Sequence, residues 1–74
     1  MQELTERQKE VYLFIVEFHD KHGYSPSIRE IGSALYMSTP AVSRHLQNLF
    51  NKGYLIFTPK IARSIVINEK ARAV

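Results

Sequence analysis

Residues 27–53, SIREIGSALYMSTPAVSRHLQNLFNKG, decide the fold because they carry the signals of two helices joined by a tight turn. Ser27 and Glu30 form the S-x-x-E pattern of a capping box, so a short helix is predicted to begin there. The apolar residues that follow recur at helical spacing and predict one buried stripe, made of Ile28, Ile31 and Leu35. Tyr36, Met37 and Ser38 then make the turn.

The second helix of this pair is longer and has clear signals at both ends. Ser38 or Thr39 can cap it, and Pro40 suits its first turn, where a missing N–H costs little. Its core stripe consists of Val42, Leu46 and Leu49. Lys52 falls in the last turn, and Gly53 can adopt the left-handed conformation that ends a helix.

The outward face of the second helix is small or polar and carries no acid. Two short helices joined by about three residues cross steeply, so the second can project from the surface. Its outward residues are Thr39, Pro40, Ser43, Arg44 and Gln47, with Asn48 beside them. A helix that enters the major groove needs such a face, with its N-terminal residues near base edges and its N–H groups near phosphate. The alternative is the solvated face of an ordinary helical bundle.

Length and composition predict one small folded domain of 74 residues with 45% hydrophobic residues and eight aromatics, four Tyr and four Phe. The absence of Cys excludes a disulfide framework and a thiolate metal site. No apolar run is long enough for a membrane span, and the first ten residues are too polar for a signal peptide. We therefore expect a soluble cytoplasmic protein without a membrane partner.

Charge is distributed unevenly along the chain. Residues 1–37 carry four basic and six acidic side chains, whereas residues 38–74 carry six basic side chains and Glu69 as the single acid. The cationic half begins where the second helix of the pair begins. A basic face of this kind is typical of a protein that binds a polyanion, because phosphate contacts release counterions. A generic basic surface is the alternative at this modest net charge of +3.

The segment before the helix pair predicts a longer first helix. Thr5 and Gln8 form a second capping box, and Gly23 ends the helix after Lys21 or His22. Its apolar face consists of Val11, Phe14, Ile15 and Phe18, with Tyr12 and Val16 at the margins. His19 and His22 have no third ligand at a suitable spacing, so we predict neither a metal site nor a cofactor.

The segment after Gly53 predicts a β-hairpin. YLIFT (residues 54–58) and RSIVIN (residues 63–68) are rich in β-branched and aromatic residues, and a loop of about four residues with Pro59 and Lys60 joins them. The inward side chains should be Leu55, Phe57, Ile65 and Ile67. Three helices followed by a two-stranded antiparallel wing give a mainly α winged helix-turn-helix domain over residues 1–68. Residues 69–74 should form a frayed tail.

This architecture predicts sequence-specific binding of double-stranded DNA. We expect Ser43, Arg44 and Gln47 to contact base edges, with Arg44 suited to guanine and Gln47 to adenine. Thr39 and the N–H groups near Pro40 should position phosphate, and sequence-independent attraction should come from Lys52, Lys60 and Arg63. The alternative is a protein-interaction module that uses the basic face and the tyrosines Tyr24, Tyr36 and Tyr54. An enzyme has no support, because no catalytic constellation or small-molecule pocket is visible.

Three segments resemble the N-terminal DNA-binding domain of the bacterial SOS repressor LexA. They are LTERQKEVYLFI (residues 4–15), GYSPSIREIGSAL (residues 23–35) and RHLQNLFNKGYL (residues 44–55). The resemblance runs from Leu4 to about Ile67 and implies a transcriptional repressor, of bacterial or phage origin, whose third helix reads an operator in the major groove. In LexA-like proteins the start of that helix reads the bases, which here implies Ser38, Thr39, Pro40, Ala41, Ser43 and Arg44.

The sequence also departs from the LexA pattern. The turn is about one residue shorter, S-T-P-A-V-S-R differs from the family's patterns, and Tyr36 stands where a glycine is common. An SOS-type operator is therefore not implied. LexA proper continues into a self-cleaving domain with a serine–lysine dyad, which this sequence lacks. We expect either a fragment of a longer repressor or a stand-alone regulator, and a two-fold operator would require a homodimer.

Overall fold

The computed structural model describes residues 3–58, 61 and 63–72, and for residues 71 and 72 only the backbone. The described residues form three helices, a two-stranded antiparallel sheet and a final helical turn. In chain order these are α1 (Glu6–His22), α2 (Ile28–Leu35), α3 (Thr39–Asn51), β1 (Leu55–Ile56), β2 (Val66–Ile67) and α4 (Glu69–Arg72). The predicted mainly helical fold with a hairpin is confirmed.

Both predicted capping boxes are present and set where the first two helices begin. The Thr5 hydroxyl accepts the Gln8 N–H at 3.2 Å, and the Gln8 side chain accepts the Thr5 N–H at 3.1 Å. Ser27 and Glu30 make the same reciprocal pair at the start of α2. Gly23, with φ of 81°, ends α1 in the left-handed conformation. These ends are confirmed because they depend on local hydrogen bonds that the sequence encodes directly.

The turn between α2 and α3 is compact. Tyr36 ends α2 in the left-handed conformation, with φ of 57°, and Ser38 caps α3. A Cβ atom added to Gly32 would lie 2.6 Å from the Met37 carbonyl oxygen, far closer than van der Waals contact. Only glycine at position 32 therefore lets the turn fold back onto α2, and this close approach fixes the start of α3.

The core lies between the three helices and the inner face of the hairpin. Its fully buried helical side chains are Val11, Ile15, Ile31, Val42, Leu46 and Leu49. One prediction is corrected: Tyr12, expected at the margin of α1, is buried, whereas Phe14 and Phe18 are only partly buried. The Tyr12 ring packs edge-on against Tyr54 with a centroid separation of 5.3 Å, and this contact with the start of the wing draws it into the core.

The wing has the predicted inward face but shorter strands. Leu55 pairs with Ile67 and Ile56 with Val66. Leu55, Ile65 and Ile67 are buried and Phe57 packs against the core, as predicted, while Ile56 and Val66 are exposed. The predicted five- and six-residue strands with a loop of about four residues are wrong: each strand has two residues.

A side-chain hydroxyl replaces backbone pairing beyond these short strands. The Ser64 hydroxyl accepts the Thr58 N–H at 2.9 Å and donates to the Thr58 carbonyl at 2.8 Å. The ladder therefore stops early because a serine side chain satisfies the backbone groups that a longer strand would pair. Pro59 and Lys60, placed in the predicted loop, lie outside the described residues.

The segment for which we expect a tail begins with a helical turn, α4. The Asn68 side chain accepts the Lys70 N–H at 3.1 Å and donates to the Gly53 carbonyl at 2.7 Å, so this turn is connected to the end of α3. A domain over residues 1–68 with a frayed end stays a prediction. Within the described part of the chain, no helix has both the length and the apolarity that crossing a membrane requires.

Candidate nucleic-acid interface

The start of α3 is exposed and has a free backbone donor. Ser38, Thr39 and Pro40 are all solvent-exposed. The Ser38 hydroxyl accepts the Ala41 N–H at 3.3 Å, and Pro40 has no N–H to offer. Of the three first-turn positions, Thr39 alone therefore keeps an N–H without a partner among the described residues. A phosphate at this helix end would meet that N–H together with the positive end of the helix dipole.

The outward face of α3 continues through Arg44 and Gln47, which are exposed, while Ala41, Ser43 and Asn48 are half-buried beside them. Arg44 makes no hydrogen bond or ion pair with any described residue, so its guanidinium is available for an external partner. The Gln47 amide donates to the Asn51 carbonyl oxygen at 3.1 Å. Gln47 can contact a base edge only after this exposed bond is exchanged for one to the base.

His45 is half-buried between this face and the core. Burial, followed in importance by the positive charges of Arg7 and Arg44, lowers the pKa of the His45 imidazole below its usual value. Since a histidine ordinarily titrates near pH 6.5, His45 is neutral at physiological pH. The positive charge on the outward part of α3 therefore comes from Arg44.

Lys52, predicted to supply sequence-independent attraction for DNA, is engaged inside the protein. It is the residue that ends α3, and its ammonium donates to the Glu3 carbonyl at 2.9 Å and to the Gln8 side-chain oxygen at 2.7 Å. Gln8 is itself buried and takes part in the first capping box. These bonds connect the end of α3 to the start of α1 and leave the Lys52 ammonium one of its three donors.

Two further cations, Lys60 and Arg63, were predicted in the wing. The Arg63 guanidinium lies against Glu30, Ser25 and Tyr24, so it faces the start of α2. Lys60 lies outside the described residues. The structure thus brings the α3 residues of the predicted site together on one face, whereas Lys52 and Arg63 make internal contacts.

Arg7 is a residue of the region that the sequence did not single out. Its guanidinium donates to the Leu35 carbonyl at 3.0 Å and pairs with Glu10. It therefore satisfies a free carbonyl at the end of α2, next to the turn that leads into α3. The two residues of this hydrogen bond are 28 positions apart in the sequence, and no local sequence pattern predicts a contact of this kind.

The three tyrosines that a protein-interaction module would use lie in different environments. Tyr36 is 94% exposed and Tyr24 is 48% exposed, whereas Tyr54 is half-buried against Tyr12. Tyr24 packs edge-on against Phe18 and near His22. The described residues contain no group of three His, Cys, Asp or Glu that could hold a metal ion.

The fold and the exposed face together define a winged helix-turn-helix domain, with α2 and α3 as the helix-turn-helix and the hairpin as the wing. The family model "LexA DNA binding domain" matches residues 1–64, which is most of the chain. The chain belongs to this family of DNA-binding domains.

Curated relatives agree with this assignment. The chain is 45% identical over 73 residues to a LexA repressor of Myxococcus xanthus, a match that covers 97% of the chain and 33% of the relative. It is 47% identical over 73 residues to a LexA repressor of Anaeromyxobacter dehalogenans, covering 97% of the chain and 32% of the relative. LexA repressor 2 of Geobacter sulfurreducens is 41% identical, with 97% and 36% covered. The chain spans about a third of the length of these relatives.

Proposed function

We propose that the chain binds duplex DNA in a sequence-specific manner and acts as a transcriptional repressor. The observation that carries this proposal is the exposed, acid-free N-terminal half of α3, which bears a guanidinium and a first-turn N–H that have no partner among the described residues. A helix of about 10–12 Å diameter fits the major groove, and its N-terminal residues then face the base edges. Membership of the LexA DNA-binding domain family supports the same conclusion.

The proposal divides the α3 residues between base and phosphate contacts. Ser43, Arg44 and Gln47 read base edges, and the guanidinium of Arg44 is suited to the two acceptors of guanine. Thr39 and its N–H bind a phosphate that fixes the register of the helix on the duplex. The remaining positions of the proposed interface border this strip, and they are Ser38, Pro40, Ala41 and Asn48.

The basic residues outside this strip contribute mainly through charge. The ammonium of Lys52 is used internally, so it attracts the duplex through its field rather than by a direct phosphate bond. Lys60, at the predicted wing tip, is the stronger candidate for a direct backbone contact. The alternative of a protein-interaction module is weakened by the partial burial of Tyr54 and by the packing of Tyr24 against Phe18.

The proposal also covers how the protein that contains this domain acts: as a repressor, as two copies on DNA, and in the cytoplasm. The relatives are named as repressors, and a protein that occupies an operator blocks transcription from it. A single α3 covers one half-site, so a two-fold operator would be bound by two copies of the domain. Such a protein would act in the cytoplasm on the nucleoid.

Selection from a random duplex library at moderate salt tests this proposal. The expected result is enrichment of a defined motif, because base-edge contacts discriminate by about 1–3 kcal/mol per mismatched pair. A palindrome with fixed spacing would further support binding by two copies. Binding without an enriched motif would contradict sequence-specific recognition, and no binding even at low salt would contradict any DNA-binding role.

A further inference from the structure

We propose that Arg63 is a positioning residue that clamps the wing onto the start of α2, and that Glu30 is its partner in this clamp. This inference rests on the proposed function, because the position of the wing beside α3 matters when the domain binds DNA. It differs from the prediction that Arg63 supplies sequence-independent attraction for DNA, a role that it would perform as a direct phosphate ligand.

Three contacts hold the Arg63 guanidinium against the protein. One guanidinium nitrogen lies 2.8 Å from a Glu30 carboxylate oxygen in an ion pair and donates to the Ser25 carbonyl at 3.0 Å. The centre of the guanidinium lies 4.8 Å from the Tyr24 ring centroid, in the geometry of a cation–π contact. The guanidinium is therefore held by oxygen atoms at its edge and by an aromatic ring on its face, and together these contacts restrain its position and its orientation.

The carboxylate of Glu30 is held in place by the capping box of α2. The same oxygen accepts the Ser27 N–H at 2.8 Å in the capping box of α2, so a second contact besides Arg63 holds the side chain in place. The Ser27 hydrogen bond and then the Arg63 pair lower the pKa of the Glu30 carboxyl below its ordinary value. Glu30 is therefore ionised at physiological pH and meets the guanidinium as a charged partner.

The backbone of Arg63 has an unfavourable conformation, which we attribute to these contacts. Its φ is 54°, in the left-handed region that side chains other than glycine rarely adopt. The clamp compensates for the strain and in doing so fixes the path of the chain where the wing returns to β2.

The wing packs on the core through Leu55, Ile65 and Ile67, but this packing does not fill the space between the wing and α2. A cleft separates the wing from α2 and is lined by apolar side chains, including Pro26, Ile28, Phe57 and Ile65. The two strands have two residues each, and such a short ribbon has little stability of its own. Arg63 lines this cleft and makes a polar connection between the wing and the start of α2.

The clamp and the phosphate-ligand role predict opposite results for Glu30→Gln. Glutamine keeps the capping bond to Ser27 but removes the negative charge that holds Arg63. The clamp predicts about three- to tenfold weaker binding to a duplex that carries the selected motif. A phosphate-ligand role predicts tighter binding, because Arg63 is released to the DNA. Glu17→Gln, at an exposed position on α1, is the matched control for the loss of one negative charge.

Substitutions of Arg63 separate the two roles in a second way. Under the clamp, Arg63→Lys and Arg63→Gly both weaken binding about as much as Arg63→Ala, since lysine cannot hold two acceptors and a ring together and glycine relieves only the strain. The slope of log affinity against log salt stays the same. A phosphate ligand would tolerate lysine, and alanine would reduce the slope by about 0.9.

Amide hydrogen exchange in the free protein tests the clamp without DNA. Arg63→Ala and Glu30→Gln should both accelerate exchange in the described wing residues 55–58 and 64–67 while leaving α1 unchanged, and the double variant should exchange no faster than Arg63→Ala. Additive effects would overturn the clamp, as would tighter DNA binding by Glu30→Gln. If selection enriches no motif, the proposed function fails, and the exchange rates still decide whether Arg63 clamps the wing.

Discussion

Tyr36 has a backbone conformation that ordinarily belongs to glycine. Its φ of 57° ends α2, and 94% of its surface is exposed, so its ring contributes no packing that would compensate for the strain. The departure noted in the sequence, a tyrosine where the LexA pattern commonly has glycine, therefore has a direct conformational consequence. At this residue the backbone is strained and the exposed side chain makes no packing contact that offsets the strain.

Replacing Tyr36 with glycine should stabilise the domain by about 0.5–1 kcal/mol. The left-handed conformation costs a side-chain-bearing residue about 1–2 kcal/mol, and the greater freedom of glycine in the unfolded chain returns about half of that gain. The measurement is urea denaturation of Tyr36→Gly and Tyr36→Ala. The alanine variant keeps the Cβ atom and should match the wild-type protein, so equal stabilities for the two variants would contradict a backbone origin.

At the scale of elements, the packing of α2 and α3 depends on the close approach of the turn backbone to Gly32 rather than on a long hydrophobic stripe. Gly32 lies on α2 where the Met37 carbonyl of the turn passes over it, and its own carbonyl accepts the Met37 N–H at 2.9 Å. Val42 of α3 packs at the same place. The angle at which α3 leaves the turn is therefore determined by the absence of a side chain at position 32.

Replacing Gly32 with alanine should destabilise the domain by about 1–3 kcal/mol, because the new methyl group would overlap a backbone carbonyl that cannot move away. The sign of this change in the free energy of unfolding is informative, since alanine inside an ordinary helix is about 1 kcal/mol more favourable than glycine. Thermal or urea unfolding measures the change. Ser33→Ala, at the exposed neighbouring position, should be neutral or slightly stabilising. A stabilised Gly32→Ala variant would show that the turn is not tightly packed.

At the scale of the whole molecule, the parts that the sequence predicts are those set by local chemistry. The capping boxes, the ends of the helices, the stripe of Val42, Leu46 and Leu49, and the inward face of the wing all follow from spacings of seven residues or fewer. Periodicity and capping act over this range, so they can be read before any tertiary structure is known.

The connections between elements could not be predicted in the same way. Lys52 bonds to Glu3 and Gln8, Arg7 bonds to Leu35, and Arg63 bonds to Ser25 across separations of 28 to 49 positions. A basic side chain has the same local signature whether it meets a carbonyl or a phosphate. The sequence therefore identified Lys52 and Arg63 as cations near the interface but gave no sign that both are engaged within the protein.

The central claim is that α3 reads base pairs, and the relative affinities of Arg44→Ala for single-base variants of the selected motif test it most directly. The substitution should cost about 1–3 kcal/mol in binding free energy and remove discrimination at one base pair. Lys60→Ala is the control and should weaken binding to all sequences alike with a smaller salt slope. If Arg44→Ala kept the wild-type ranking of sites, the assignment of α3 as the reading helix would be contradicted.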